Sequence, residues 1–335
     1  MDQKNKLFKQ ALQNIIKNTY KHAKKTILFM LKIIIPITFG VMLLQYLDLI
    51  KYVTFIFEPL MKYFGLSGEA ALVLITSNLI NIYGGLAVMA SLTFSVKEVT
   101  ILGVMILFSH SLIVEVAIIK GLNISIKKQL FIRIVSALIS GVILNVLIGD
   151  HYSEIANNRV TISKEIPPFS LESFPIFFHW FKTLMVDYFL NIVNTTFKLV
   201  WIITAVLFGL EVLKEFNVLD KLNNILFYFT KHLGVSKSAT SSLLIGLFIG
   251  ITYGAGAILI HYKEGKMNKK DVLLVTTFLL LCHAIVEDVF LFIQVGAVPW
   301  ILITYKIAFA IIVTFIYNLI LSRKSDLQKG FNSQQ

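Results

Sequence analysis

Eight blocks of about twenty apolar residues run through this sequence, at 26–47, 70–92, 100–119, 130–148, 197–213, 241–260, 272–295 and 300–321. A block of that length spans about 30 Å of hydrocarbon as a helix. In hydrocarbon every backbone N–H and C=O must be satisfied internally, so such a chain is confined to packed helices. That many blocks also exclude a single anchor carrying a soluble domain. Composition agrees: 56% of the residues are hydrophobic and 15% charged, with a mean hydropathy of +0.78, whereas an ordinary soluble domain is about a quarter charged. The expected fold class is all-α, a polytopic transmembrane helical protein. The first block is too long, and too closely preceded by lysines, for a cleaved signal peptide.

The net charge of +12 does not mark a nucleic-acid binder. The basic residues lie mainly in short loops and at the termini, where the positive-inside rule places them. Cys282 is the sole cysteine, so no intrachain disulfide can form.

The chain repeats itself. Phe39-Gly40 returns as Phe208-Gly209, and Gly65-Leu66-Ser67 as Gly234-Val235-Ser236, both 169 residues on. Tyr83-Gly84 matches Tyr253-Gly254 at an offset of 170. His110 matches His283, Arg133 matches Lys306 and Asn145 matches Asn318, all at 173. An ordered series of this kind marks a duplicated unit. The expected organisation is an amphipathic N-terminal helix (1–24), a first repeat (25–149), a linker with an amphipathic helix (150–195), a second repeat (196–321) and a polar tail (322–335).

Charge placement suggests that the two repeats are inverted. Seven lysines, from Lys4 to Lys25, precede the first repeat, whereas the stretch 150–172 before the second has more acids than bases. Lys120, Lys127 and Lys128 follow the His110 block; the equivalent turn, 294–300, is uncharged. By the positive-inside rule the halves then cross in opposite senses, an arrangement common in secondary transporters. Inversion needs an odd number of crossings per half. With four blocks in each, one further element crosses or one block turns back, and 48–64 with its counterpart 217–233 are expected to be buried or re-entrant. Both termini are expected on the cytoplasmic side of a cell membrane.

Ionisable groups inside spanning helices are costly and therefore candidate sites. His110 and Glu115 lie in one block; His283, Glu287 and Asp288 lie in its counterpart. His283 and Glu287 are four apart and share a face of a regular helix. His110 and Glu115 are five apart, so they face one cavity only if that helix is distorted. The competing reading is a set of structural hydrogen bonds between repeats. A second motif interrupts the apolar blocks with small and polar residues: Asn78, Asn81, Tyr83, Gly84 and Gly85 in the first half, Tyr253, Gly254 and Gly256 in the second. Such breaks expose backbone groups to a ligand, although glycines serve close helix packing equally well. Glu211 and Lys32 lie near helix ends and carry no expectation of function. The chain has no phosphate-loop, dinucleotide or nucleophile-elbow pattern, and no cofactor is expected.

Twin apolar units with a Tyr-Gly break, followed by Cys282-His283-Ala284-Ile285-Val286-Glu287-Asp288, resemble the nucleoside-recognition, or Gate, family. That family includes spore maturation proteins A and B and the membrane part of ferrous-iron transport protein B. The resemblance covers nearly the whole chain as two units, and implies a membrane role with a small solute or ion near the midplane. It does not extend to a base- or ribose-binding residue or to a cysteine pair. The leading expectation is a transporter or permease, not an enzyme, working in the bilayer with a small solute or ion, and with a homo-oligomer or membrane partner allowed for. The alternatives are a non-transporting assembly module and an intramembrane metal-dependent enzyme using His110, His283 and the acids.

Overall fold

A computed structural model describes residues 2–156 and 174–332. Among the described residues the chain is helical throughout, with one isolated β-bridge, between Ser95 and Ile155. The first half contains α1 (Asp2–Tyr46), α2 (Ile50–Met61), α3 (Ala70–Leu79), α4 (Ile82–Ser91), α5 (Val96–Ser109), α6 (Leu112–Gly121) and α7 (Ile126–Ile148). The second contains α8 (Phe174–Glu215), α9 (Val218–Thr230), α10 (Lys237–Ile249), α11 (Ile251–Lys263), α12 (Lys269–Leu281), α13 (Ile285–Ile293) and α14 (Pro299–Asn332). The element order is the same in both halves, down to the 3-10 turns after α2 and α9 at Lys62–Phe64 and Lys231–Leu233.

Among the described residues six stretches are long and apolar enough to cross a membrane: Asn5–Tyr46, Val96–Gly121, Ile126–Ile148, Thr196–Glu215, Lys269–Ile293 and Pro299–Arg323. Two of the eight expected blocks, 70–92 and 241–260, are absent from this set because each folds back on itself. At 1.5 Å per residue, the ten residues of α3 reach about 15 Å, half the hydrocarbon thickness. A Cβ on Gly85 would lie 2.7 Å from Ser77 Cβ, and one on Gly254 2.7 Å from Gly246 Cα, so the legs of each hairpin touch almost backbone to backbone. Asn81 forms the first tip, with extended backbone and a side chain that accepts from Gly84 N at 3.0 Å. Gly250 forms the second at φ +111°, a conformation that L side chains avoid.

These hairpins are the elements that turn back. The segments 48–64 and 217–233, short and amphipathic and expected to be buried or partly re-entrant, form short helices that are not buried. α2 exposes Tyr52, Phe55, Ile56 and Leu60, and α9 exposes Ile225, Tyr228 and Phe229. The physical reason is their one-sided apolar stripe, which suits a surface and not a spanning core.

The expected boundaries at 24/25 and 195/196 fall inside helices. α1 is continuous over 45 residues and α8 over 42, so neither amphipathic stretch is a separate element. The two long helices lie antiparallel. Asn14 Nδ2 donates to Glu215 at 3.1 Å, His22 contacts Glu211 at 3.2 Å, Tyr188 OH donates to the Ile35 carbonyl at 2.8 Å, and the rings of Tyr46 and Trp180 lie 5.1 Å apart. The residue numbers rise on one helix as they fall on the other. Part of the linker, at 152–156, is pinned in place: Lys97 N donates to Tyr152 O and Val96 N to Glu154 O, at 2.8 and 2.9 Å.

Matching caps set the start of the two helices that lead to the centre. Ser95 and Glu98 form a capping box on α5, and Asn268 and Asp271 one on α12, each satisfying two otherwise orphaned N–H groups. The same acids reach sideways: Glu98 accepts from Ser67 N and Asp271 from Ser236 N, both at 2.9 Å. Each cap thus ties its helix to the loop that enters the neighbouring hairpin. Both α5 and α12 are buried along almost their whole length, and form the core around which the other helices pack.

Candidate functional site

Both central spans are broken near their middles, and the breaks meet. α5 stops at Ser109 and α6 begins at Leu112; α12 stops at Leu281 and α13 begins at Ile285. The residues that turn the chain, Ser111 and Ala284, are left-handed at φ +55° and +43°. For a residue with a Cβ that conformation costs about 1–2 kcal/mol, and such strain persists only where surrounding contacts over-determine it. The contacts come from the hairpins: Ser111 N donates to Ser77 O at 2.9 Å and Ala284 N to Gly246 O at 3.2 Å.

A break exposes carbonyls at the end of one half-helix and N–H groups at the start of the next. Buried cations satisfy the carbonyls, and buried carboxylates stand near the N–H ends. Arg133 of α7, fully buried, donates from Nε to Phe108 O and from Nη2 to His110 O, each at 2.8 Å. Its Nη1 lies 2.6 Å from Glu115 Oε2. Lys306 of α14, also fully buried, repeats the device: Nζ donates to His283 O at 2.9 Å and to Asp288 Oδ2 at 3.3 Å. The cations meet the negative ends of α5 and α12, while Glu115 and Asp288 stand in the first turns of α6 and α13, where the helix dipole favours a carboxylate.

The two histidines lie between these pairs. His110 Nδ1 is 2.8 Å from Ile106 O, and His283 Nδ1 is 2.7 Å from Leu279 O. A carbonyl only accepts, so Nδ1 carries the proton in both rings and Nε2 is turned inward. The ring centroids are 5.3 Å apart, and both Nε2 atoms lie 3.9 Å from Glu115 Oε1. His110, His283 and Asp288 each offer a ligand atom within 4.8 Å of the other two. This group is able to hold a cation.

The structure thus brings together His110, Glu115, His283 and Asp288. Glu287 lies at the edge of the group and accepts from Tyr83 OH at 3.3 Å, a contact between α4 of one half and α13 of the other. The break places His283 outside α13, so His283 and Glu287 do not share the regular helix face that their spacing suggested. Asp288, not Glu287, is the counterpart of Glu115 and the partner of Lys306. Asn81 is buried as the hairpin cap. Asn78, next to the Ser77 carbonyl that holds the first break, has a buried Oδ1 without a hydrogen-bond partner. Tyr253 is not brought in: it is 59% exposed, since its position in α11 turns outward where that of Tyr83 turns inward. Of the four glycines, Gly84, Gly85 and Gly254 pack against the opposing leg, whereas Gly256 has open space around it.

Sequence reasoning left Arg133 and Lys306 out of the site. Their signal was present, because they match at the same 173-residue offset as the histidines. Gln129 and Thr277 were also missed; their buried side chains bond across the halves at 3.1 Å.

Fold and site together define a polytopic helical membrane protein of two like units, with discontinuous helices meeting at a buried polar centre. The chain belongs to the Gate, or nucleoside-recognition, family. The family model matches residues 196–298, the second unit. Over 283 residues the chain is 32% identical to "Uncharacterized membrane protein YvoD" of Bacillus subtilis (strain 168), covering 84% of this chain and 87% of the relative. No solved structure matches it.

Proposed function

We propose that the protein moves a small polar solute or ion across a cell membrane, through a midplane site where the broken helices of two inverted repeats meet. One observation carries this reading: the two breaks converge, with His110 and His283 5.3 Å apart and charged groups of both halves buried around them. Discontinuous helices at such a position are how many secondary transporters build a binding site. A charge at the centre of a spanning helix costs at least about 2.5–3.5 kcal/mol, so a buried cluster of this size marks function by default.

Side-chain register supports the inversion. Along α5 and α14, Val298 N donates to Thr100 Oγ1 at 3.0 Å, a Cβ on Gly103 would meet Leu302, and Phe108 packs on Tyr305 and Phe309. These two helices run the same way. Lys270, at the start of α12, bonds Ser322 at the far end of α14, at 3.0 Å, so α12 runs against α14 and hence against α5. The antiparallel pair α1 and α8 fits the same two-fold relation. Counting three crossings in each half among the described residues gives an odd number, as inversion requires, and in this reading both termini lie on one side. The lysines flanking the first half favour the cytoplasm for that side.

In this reading the hairpins α3–α4 and α10–α11 close the site from opposite sides, and the protein is not an enzyme. The family description, nucleoside recognition, makes nucleosides one solute class to assay. The test is flux into liposomes carrying the purified protein. Glu287→Gln keeps the side chain's shape, removes its charge and leaves the Tyr83 contact a partner; it is expected to abolish or uncouple flux with the fold intact. Normal flux with unchanged pH dependence in that variant defeats the site assignment.

A further inference from the structure

The geometry points to a binding site for a divalent transition-metal ion at the crossing of the two broken helices, with His110, His283 and Asp288 as ligands and Glu115 beside them. The first observation is the orientation of the imidazoles. Each Nδ1–H is spent on a backbone carbonyl, at 2.8 Å for His110 and 2.7 Å for His283. This is the outer hydrogen bond that fixes ring and tautomer in metal-ligating histidines. Both Nε2 lone pairs are thereby aimed into the same buried space.

The second observation is what they face. Glu115 Oε1 lies 3.9 Å from each Nε2, beyond hydrogen-bond range. Asp288 and the two histidines form a set of three whose ligand atoms lie within 4.8 Å of one another. Three ligand atoms thus converge, with the Glu115 carboxylate beside them. Protonating both rings instead would set two imidazolium ions 5.3 Å apart in the interior. One cation among them satisfies the three ligands, with Glu115 beside it to offset its charge.

The neighbouring cations have partners of their own. Arg133 engages the other oxygen of Glu115, Oε2, at 2.6 Å, and Lys306 engages Asp288 Oδ2 at 3.3 Å. Both also bond the carbonyls of the helix breaks.

Spacing and donor type set the class of ion. Zinc bonds nitrogen at about 2.0–2.1 Å, which puts tetrahedral ligand atoms about 3.3 Å apart; closing from the present spacing moves each ligand inward by roughly 0.2–0.7 Å. Two imidazoles and a carboxylate suit zinc, iron, cobalt or nickel, whereas calcium and magnesium prefer all-oxygen shells. The two breaks supply one histidine each, so the site exists only when the two halves are docked.

This assignment deepens the transport reading and rests on the same site, but its test is separate. Full-length protein in detergent is stripped with a chelator, then titrated with Zn²⁺ and, for a spectroscopic readout, with Co²⁺. The expected result is about one ion per chain, visible Co²⁺ d–d absorption, and a rise in melting temperature on adding Zn²⁺. His110→Gln and His283→Gln should each abolish stoichiometric binding, whereas His232→Gln, at an exposed position on another part of the surface, should not. Wild-type protein that takes up neither ion, or binding that survives in both central variants, overturns the metal site. Should the variants fail to fold, the wild-type melting shift decides alone: no shift with Zn²⁺ overturns it. Metal binding without solute or ion flux in liposomes would sink the transport reading and leave the metal site standing.

Discussion

At the scale of single residues, the centre of this protein is held by two acid–base pairs that are not equivalent. Arg133 brings three nitrogens to Phe108 O, His110 O and Glu115, whereas Lys306 brings one to His283 O and Asp288. Removing one partner of a buried pair leaves the other charged and unsatisfied, at a cost of about 3–5 kcal/mol. Arg133→Met is therefore expected to lower stability by that amount in chemical unfolding followed by near-ultraviolet circular dichroism. Arg133→Lys keeps the charge but not the fork, so its loss should be smaller, about 1–2 kcal/mol. A methionine variant as stable as wild type would mean that the guanidinium does not hold the break together.

At the scale of elements, the hairpins decide how closely the halves approach the centre. Their legs are so near that a methyl group at Gly254 would meet the backbone of Gly246, 2.7 Å away, and Leu279 of α12, 2.9 Å away. Backbone does not yield as a side-chain tip does, so Gly254→Ala is expected to destabilise by about 1–3 kcal/mol through overpacking. It should also disturb the second break, because Gly246 O holds Ala284 N. Gly256 is one residue past the neighbouring position, yet a Cβ there meets nothing within 4 Å. Gly256→Ala should be neutral or gain up to about 1 kcal/mol, since alanine is the better helix former. Thermal melts of the two variants side by side check this; equal losses would show that the tight approach of the legs is not what matters.

At the scale of the whole molecule, the proposed inversion makes a topological prediction. Lys120 ends α6 and Gln294 follows α13, so they are equivalent ends of the two broken spans. Single cysteines at these positions, in a Cys282→Ser background, should react with a membrane-impermeant maleimide from opposite sides of oriented vesicles. Reaction of both from the same side would refute the inversion, whatever the flux assays show.

The sequence alone was enough to place this chain in a bilayer, to divide it into two like units and to mark the His110 and His283 blocks, because hydropathy, composition and repeat offsets are properties of the chain itself. It did not separate a spanning block from a hairpin. Twenty apolar residues have the same hydropathy whether they form one rod or two short legs, and the difference lies in a single turn at Asn81 or Gly250. Nor did local spacing select the correct acid. On a continuous helix Glu287 would follow His283 on one face, but Lys306 reaches in from α14 and takes Asp288. Tyr253 shows the same limit: it matches Tyr83 in sequence and ends on the surface. Which members of a repeated motif converge depends on where the breaks fall and on which side chains arrive from other helices, and those are long-range contacts that only the tertiary structure contains.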